Sequence, residues 1–145
     1  IDIEGLALRR SIERGDAAWL ASVERTFAAL CAVPYTYPDD PTHHYEEWVV
    51  RHRIFHRTLV NACGSQWLLG FRDVLHEQSE RYRRLSIRRD TGKARNVEAE
   101  HAAIVQAVLQ RDAEGAVAAL STHFRATMHL VELATPGAAT VGGTA

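Results

Sequence analysis

The chain has 145 residues, the size of a single domain, and carries 17 basic against 18 acidic side chains. That balance provides no general positive field for a polyanion, which excludes nucleic-acid binding by overall charge for this chain alone. No stretch approaches the roughly 20 apolar residues of a membrane span and no cleavable leader is present, so we expect a cytoplasmic protein that does not contact a membrane.

The first part of the sequence predicts three helices, because apolar residues recur at steps of three and four. Gly15 and Asp16 mark the first break, since glycine suits a helix end and aspartate accepts free amides at a helix start. Three prolines, Pro34, Pro38 and Pro41, predict a loop of about ten residues. We expect a helix, truncated at its start, that ends near Arg14, a second from about Ala17, and a third from about His44 to Ala62.

The second part predicts three more helices. Gly64 and Ser65 separate the third helix from the fourth, and the charged segment RRDTGKARN follows the fourth. Residues 133–145 are mostly small and predict a flexible tail. Strand-like alternation is nearly absent, so the sequence predicts an all-α fold, an antiparallel bundle of about six helices. The later helices are expected from Ser65 to about Ser86, from about Val97 to Gln110, and from Asp112 to about Val131.

Four of the eight histidines form a pattern across three predicted helices. His52 and His56 are four residues apart and share one face of the third helix. His101 on the fifth helix and His123 on the sixth can reach one level of an antiparallel hairpin. Neutral imidazoles suit zinc, nickel, copper and iron, so these side chains are candidate metal ligands. The residues alone also allow the alternative that they cap carbonyls or line a surface.

Three segments resemble a known family. HRIFHRTLVNACGSQWLL, RYRRLSI and EAEHAAIVQAVLQRDAEGAVAALSTHF are similar to the ligand-sensing C-terminal domain of GntR-type transcription regulators, in the fatty-acid-regulator-like class called FCD. The family pattern has a D-x-x-F-H segment, a later E-H-x-x-I/L segment and a final histidine, and the resemblance covers the chain from about Ile3 to Leu130. The matching positions are His52, Phe55, His56, Glu100, His101, Ile104 and His123.

The resemblance implies a dimeric helical domain with a central pocket, which binds a small carboxylate beside a metal held by one aspartate and three histidines. Residues 1–132 would then be the effector-binding and dimerisation domain of a bacterial transcription regulator. In this family a winged helix-turn-helix precedes that domain. We expect it before Ile1 or removed, so that DNA is bound only through the missing domain.

His52 departs from the family pattern, which has aspartate at that position. A four-histidine site would leave a divalent ion at formal +2 instead of +1 and would attract an anion more strongly. Alternatively, His52 turns away and leaves three ligands, His56, His101 and His123. The expected cofactor is a divalent transition metal, with zinc as first choice and nickel or another ion as alternatives.

A carboxylate effector needs a cation or amide donor beside the metal. The resemblance implies that an arginine of the fourth helix faces the pocket. Arg81 is the first choice, Arg84 shares its face, and Gln78 lies one turn earlier; a solvated basic face is the alternative. Glu100 is expected to serve a partner other than His101, because neighbouring helix positions diverge. The expected core aromatic and aliphatic residues are Trp48, Phe55, Leu59 and Trp67, and the expected surface or interface histidines are His43, His44, His76 and His129.

Three functions remain open to this pattern: an effector sensor, a metal-dependent hydrolase-like enzyme using the same site, and a plain dimerisation module. The sequence has no GxSxG, HExxH or P-loop motif. None of its carboxylates falls at a motif position that would place a general base beside the ion. We therefore expect a sensor without enzymatic activity.

Overall fold

Six α-helices make up most of the molecule. The computed structural model describes residues 1–87 and 95–134, and for residues 81–87, 131, 133 and 134 it describes the backbone alone. A short 3₁₀ turn, Asn61–Cys63, follows the third helix. The expected all-α fold is confirmed. The helices are α1 (Asp2–Arg14), α2 (Ala17–Cys31), α3 (Glu46–Val60), α4 (Gln66–Ile87), α5 (Val97–Leu109) and α6 (Ala113–Ala134).

Side-chain caps fix the starts of three helices at the positions that the sequence predicts. In each case an oxygen of the capping residue accepts a hydrogen bond from an amide of the first turn, which otherwise has no partner in the helix. Gly64 follows the 3₁₀ turn with φ +69°, a left-handed conformation that glycine adopts without strain. The capped amides and their acceptors are Trp19 with Asp16 (2.8 Å), Leu68 with Ser65 (3.3 Å) and Gly115 with Asp112 (2.9 Å).

The segment between α2 and α3 is not only a loop. It contains two short antiparallel strands, β1 (Thr36–Tyr37) and β2 (Asp40–His44), with Thr36 opposite His44. Consequently α3 begins at Glu46, two residues after its expected start. The prolines exclude a helix here, but proline is tolerated in edge strands, and these strands are too short to produce an alternating pattern.

The hydrophobic core lies between the helices and adjoins the four histidines that the sequence singles out. Trp48, Phe55 and Leu59 of α3 are buried, as expected. The prediction for Trp67 is wrong, since its side chain is 80% exposed. Leu69 and Arg72, three residues apart, form the buried face of α4, and a residue two positions before Leu69 points to the opposite side of the helix.

Candidate metal centre and effector cavity

Four imidazole rings converge inside the bundle. His52, His56, His101 and His123 are all buried, and each offers a ring nitrogen within 4.8 Å of the others'. His56 Nε2 and His101 Nε2 lie 3.3 Å apart. The His52 ring lies in this cluster, with its centroid 4.4 Å from that of His56, and is not turned away. The four residues that the sequence singles out are therefore brought together.

The helix α3 carries a row of rings at four-residue spacing, which places them on one face. His44, immediately before the helix, stacks on Trp48 at 5.2 Å, and Trp48 stacks on His52 at 4.5 Å with an interplanar angle of 18°. His56 follows one turn later. The indole therefore restricts the orientation of the His52 ring, at the position where this chain departs from the family pattern.

Glu100 orients His123 from the outer side of the cluster. Its Oε2 lies 2.7 Å from His123 Nδ1, which donates because an ionised carboxylate only accepts. The other ring nitrogen of His123 is left for the cluster, as in the carboxylate–histidine pairs that support metal ligands. This arrangement agrees with the expectation that Glu100 serves a partner other than His101.

Arg95 completes this arrangement and was not anticipated from the sequence. Its guanidinium holds Glu100 with two hydrogen bonds of 2.8 and 2.7 Å and donates to the carbonyl oxygen of His123 at 3.1 Å. Burial raises the pKa of Glu100, but the hydrogen bonds from Arg95 and His123 outweigh it and lower that pKa to about 2. The carboxylate is therefore ionised at neutral pH. No motif marks Arg95, which lies just before the N-cap of α5.

The environment keeps three histidines of the cluster neutral, namely His56, His101 and His123. Burial, followed by the positive charges that His52, His101, His123 and Arg72 would present, lowers the pKa of His56 well below its usual value. Burial also lowers the pKa of His101 well below that value. For His123 burial lowers the pKa although its hydrogen bond to Glu100 opposes the shift. Neutral imidazole is the form that binds a metal ion.

The donor set suits a divalent transition metal. With bonds of about 2.0–2.1 Å, the nitrogens around a tetrahedral ion lie roughly 3.3–3.4 Å apart. The four nitrogens of the cluster lie within 4.8 Å of one another, a separation from which they can converge on one ion. In addition, His56 Nδ1 is buried with no hydrogen-bond partner among the described residues. Zinc, nickel and copper all accept imidazole ligands.

A cavity of about 480 Å³ adjoins the cluster. His52, His56 and His123 line it, whereas His101 does not, so three rings face the cavity and the fourth lies behind them. This volume lies within the range of sites for small organic molecules. The apolar part of the lining comes from Ile1, Ile3, Tyr35, Trp48, Leu75, Val97, Phe124 and Met128.

The predicted effector ligands are placed as follows. The side chains of Arg81 and Arg84 lie outside the described residues, so these two remain predictions. Gln78 is exposed and is not among the residues that line the cavity. Two of the histidines expected at the surface or at an interface, His44 and His76, are half-buried and line the cavity. Two others, His43 and His129, are exposed as expected.

Arg72 is the buried cation of α4 that lines the cavity. Its side chain is 1% exposed. Its Nε donates to Glu4 at 3.2 Å and its Nη1 donates to Asp73 at 3.2 Å. The third nitrogen, Nη2, is buried and has no hydrogen-bond partner among the described residues. Sequence reasoning missed Arg72, because an arginine on an amphipathic helix ordinarily lies at the surface.

The fold and the site together define a helical bundle that contains four clustered histidines able to hold a metal ion, beside a cavity of the size that binds small molecules. The model of the FCD domain matches residues 1–126 of the chain. The chain therefore belongs to the FCD domain family, which confirms the resemblance to the ligand-sensing domain of GntR-type regulators. As a member of this family it is an effector-sensing regulatory domain.

Two curated proteins are similar to the chain. The uncharacterized HTH-type transcriptional regulator BphR of Paraburkholderia xenovorans (strain LB400) is 37% identical over 131 residues, which are 90% of this chain and 53% of that protein. The HTH-type transcriptional repressor GlaR of Escherichia coli (strain K12) is 28% identical over 139 residues, 94% of this chain and 62% of that protein. The chain thus spans little more than half the length of these relatives.

Family and relatives point to a regulatory domain that is not an enzyme. Glu100, which contacts the cluster, is held by Arg95 and His123 and has a pKa of about 2, which makes this carboxylate a weak base. Among the described helices, none has both the length and the apolar character required to cross a membrane.

Proposed function

We propose that this chain is the effector-sensing domain of a GntR-type transcription regulator of the cytoplasm, and that it binds a small carboxylate beside a metal ion. The observation that carries the proposal is the meeting of four buried imidazoles, three of which line a cavity. His52, His56, His101 and His123 hold the ion, with zinc as first choice. When bound, the metal ion supplies a positive charge and can be coordinated by a carboxylate.

Residues of the chain orient the rings that hold the metal ion and transmit ligand binding to the placement of the helices. Glu100 and Arg95 fix His123, and Trp48 restricts His52, so a ligand meets preorganised rings on α3 and α6. Binding in the cavity favours one relative placement of α3 to α6. In a longer protein, this change in helix placement alters DNA binding by a winged helix-turn-helix domain. That domain is the part of the protein that contacts DNA. Such coupling is typically worth about 1–3 kcal/mol.

The substitution His101→Ala tests the metal site. It removes the ring behind the cavity, so we expect the metal content of the purified chain to fall and the rise in melting temperature on adding zinc to disappear, with a helical circular-dichroism spectrum retained. The control is His129→Ala, which removes an exposed histidine of α6. Unchanged metal stoichiometry in His101→Ala would refute the assignment.

We also propose that two copies of the chain associate through α4. Trp67, Phe71 and Val74 follow one another at helical spacing and are 80%, 56% and 58% exposed. A row of large apolar side chains of this kind is typical of a protein interface. A second copy is the occupant that the family resemblance suggests, since the domain is expected to dimerise.

A further inference from the structure

One cationic donor of the cavity lining is not satisfied within the described residues. Arg95 is occupied by Glu100, and two of the three nitrogens of Arg72 are occupied by Glu4 and Asp73. The third nitrogen, Arg72 Nη2, is a buried donor without a partner among the described residues. A buried unpaired cationic donor is costly, and a carboxylate oxygen is the acceptor that satisfies it best.

Two hydroxyl groups of the lining already donate hydrogen bonds. Ser79 Oγ donates to the carbonyl oxygen of His76 at 2.9 Å, and Thr127 Oγ1 donates to that of His123 at 3.3 Å. The lining also includes the acidic side chains of Glu4 and Glu132, which repel a second carboxylate. A polyacid is therefore disfavoured, and neither of these two hydroxyl groups has a proton left to donate to a hydroxyl-rich acid.

The remaining lining is apolar and contacts the histidines directly. Trp48 stacks on His52 at 4.5 Å, and Phe124 lies 5.8 Å from His56 and 5.6 Å from His123, measured between ring centroids. Leu75 and Met128, which also line the cavity, are 54% and 53% exposed. An apolar group that covers them is removed from water together with the side chains it touches.

We propose that the effector is a monocarboxylate with an apolar, ring-sized body, whose carboxylate is bound by Arg72 and whose body lies between Trp48 and Phe124 and covers Leu75 and Met128. This inference rests on the proposed function and narrows its ligand class. The cavity of about 480 Å³ has room for such a molecule.

Calorimetric titration of the zinc-loaded chain with benzoate, phenylacetate, acetate, malate and gluconate tests the inference. Benzoate or phenylacetate should bind at least about tenfold more tightly than acetate, because the ring buries apolar surface. Malate and gluconate should bind more weakly than either ring acid. If malate or gluconate binds as tightly as the ring acids, the inference fails while the proposed function stands. If no acid binds, the proposed function fails as well.

Two pairs of variants locate the ligand. Leu75→Gln should weaken benzoate binding but not acetate binding, whereas Ile54→Gln, which changes a similarly exposed aliphatic residue of α3 outside the lining, should alter neither. Arg72→Gln should weaken every carboxylate, while Arg125→Gln, an exposed arginine of α6, should not. Circular dichroism checks the fold of each. Benzoate binding unaffected by Leu75→Gln, in a folded protein, contradicts the proposed position.

Discussion

The nitrogens of His56 and His101 lie 3.3 Å apart in an environment where both rings are almost fully buried. Protonating either ring places a charge where water cannot reach it, and so burial lowers the pKa of both. In the unfolded chain the same groups take up protons with a pKa near 6.5. At pH values between the lowered pKa of the folded state and 6.5, the unfolded state binds more protons than the folded state.

The pH dependence of stability follows from that difference. For the metal-free chain, the free energy of unfolding should be highest above pH 6.5 and should fall as the pH is lowered below it. Each such histidine changes it by at most about 1.4 kcal/mol per pH unit. Urea unfolding at a series of pH values measures the slope. His56→Gln should flatten it and His129→Gln should not; equal slopes in all three proteins would contradict the explanation.

Glu100 offers a second prediction at the scale of one residue. Glu100→Gln removes the negative charge that holds His123 Nδ1 and the guanidinium of Arg95. The affinity for zinc should fall by about 10–100-fold, which is the usual effect of losing such a partner. A competition titration with a chelating dye measures it. Glu24→Gln, an exposed change on α2, is the control, and equal affinities for both variants would show that Glu100 does not support the ligand.

At the scale of the helices, α4 separates two surfaces of different chemistry. Arg72 and His76 line the cavity, whereas Trp67, Phe71 and Val74 face outward. The ion pair between Arg57 and Asp73 ties α4 to α3 beside this outward row. A polar change in the row should therefore affect the proposed association without altering the cavity.

Phe71→Asp tests the proposed association. A charged side chain at the centre of an apolar interface leaves an unpaired carboxylate buried, so the variant should sediment as a monomer at concentrations where the unmodified chain is a dimer. Leu109→Asp, which changes an exposed leucine at the end of α5, is the matched control and should remain dimeric. A monomeric unmodified chain, or a dimeric Phe71→Asp variant, would contradict the role of α4.

Helix ends could be predicted because their signals are local. Asp16, Ser65 and Asp112 each cap the amide three residues later, and that requires no knowledge of the rest of the fold. The strands β1 and β2 could not be predicted, because strands with two paired positions give no periodic pattern. Trp67 was assigned to the core because spacing alone does not fix which face of α4 meets its neighbours.

The candidate site was predictable in part for the same reason. His52, His56, His101 and His123 were found through their order and spacing, aided by the family pattern. Their supporting groups come from other positions that only packing reveals. Arg95 reaches His123 across 28 positions of sequence, and Arg72 reaches Glu4 across 68. Such pairs leave no local signal, whereas histidines at helical spacing do.

At the scale of the whole molecule, the cavity extends from the four-histidine cluster to the first residues of the chain. Ile1, Ile3 and Glu4 line it, and the buried pair between Glu4 and Arg72 joins α1 to α4. A carboxylate bound at Arg72 shares the guanidinium with Glu4 and packs near the first turn of α1. We therefore expect α1 to respond when the cavity is filled. By contrast, α2 contributes no residue to the lining.

Hydrogen exchange can test this route. Saturating the zinc-loaded chain with acetate or benzoate should slow exchange at the amides of residues 5–9, because a filled cavity makes opening of the first turns of α1 less favourable. The amides of α2 should exchange as before and provide the internal control. In Glu4→Gln, which removes the charge that links α1 to Arg72, the ligand should still bind but should protect α1 less. Protection confined to α3 and α6, with no change in α1, would show that occupation of the cavity is not transmitted to the first helix.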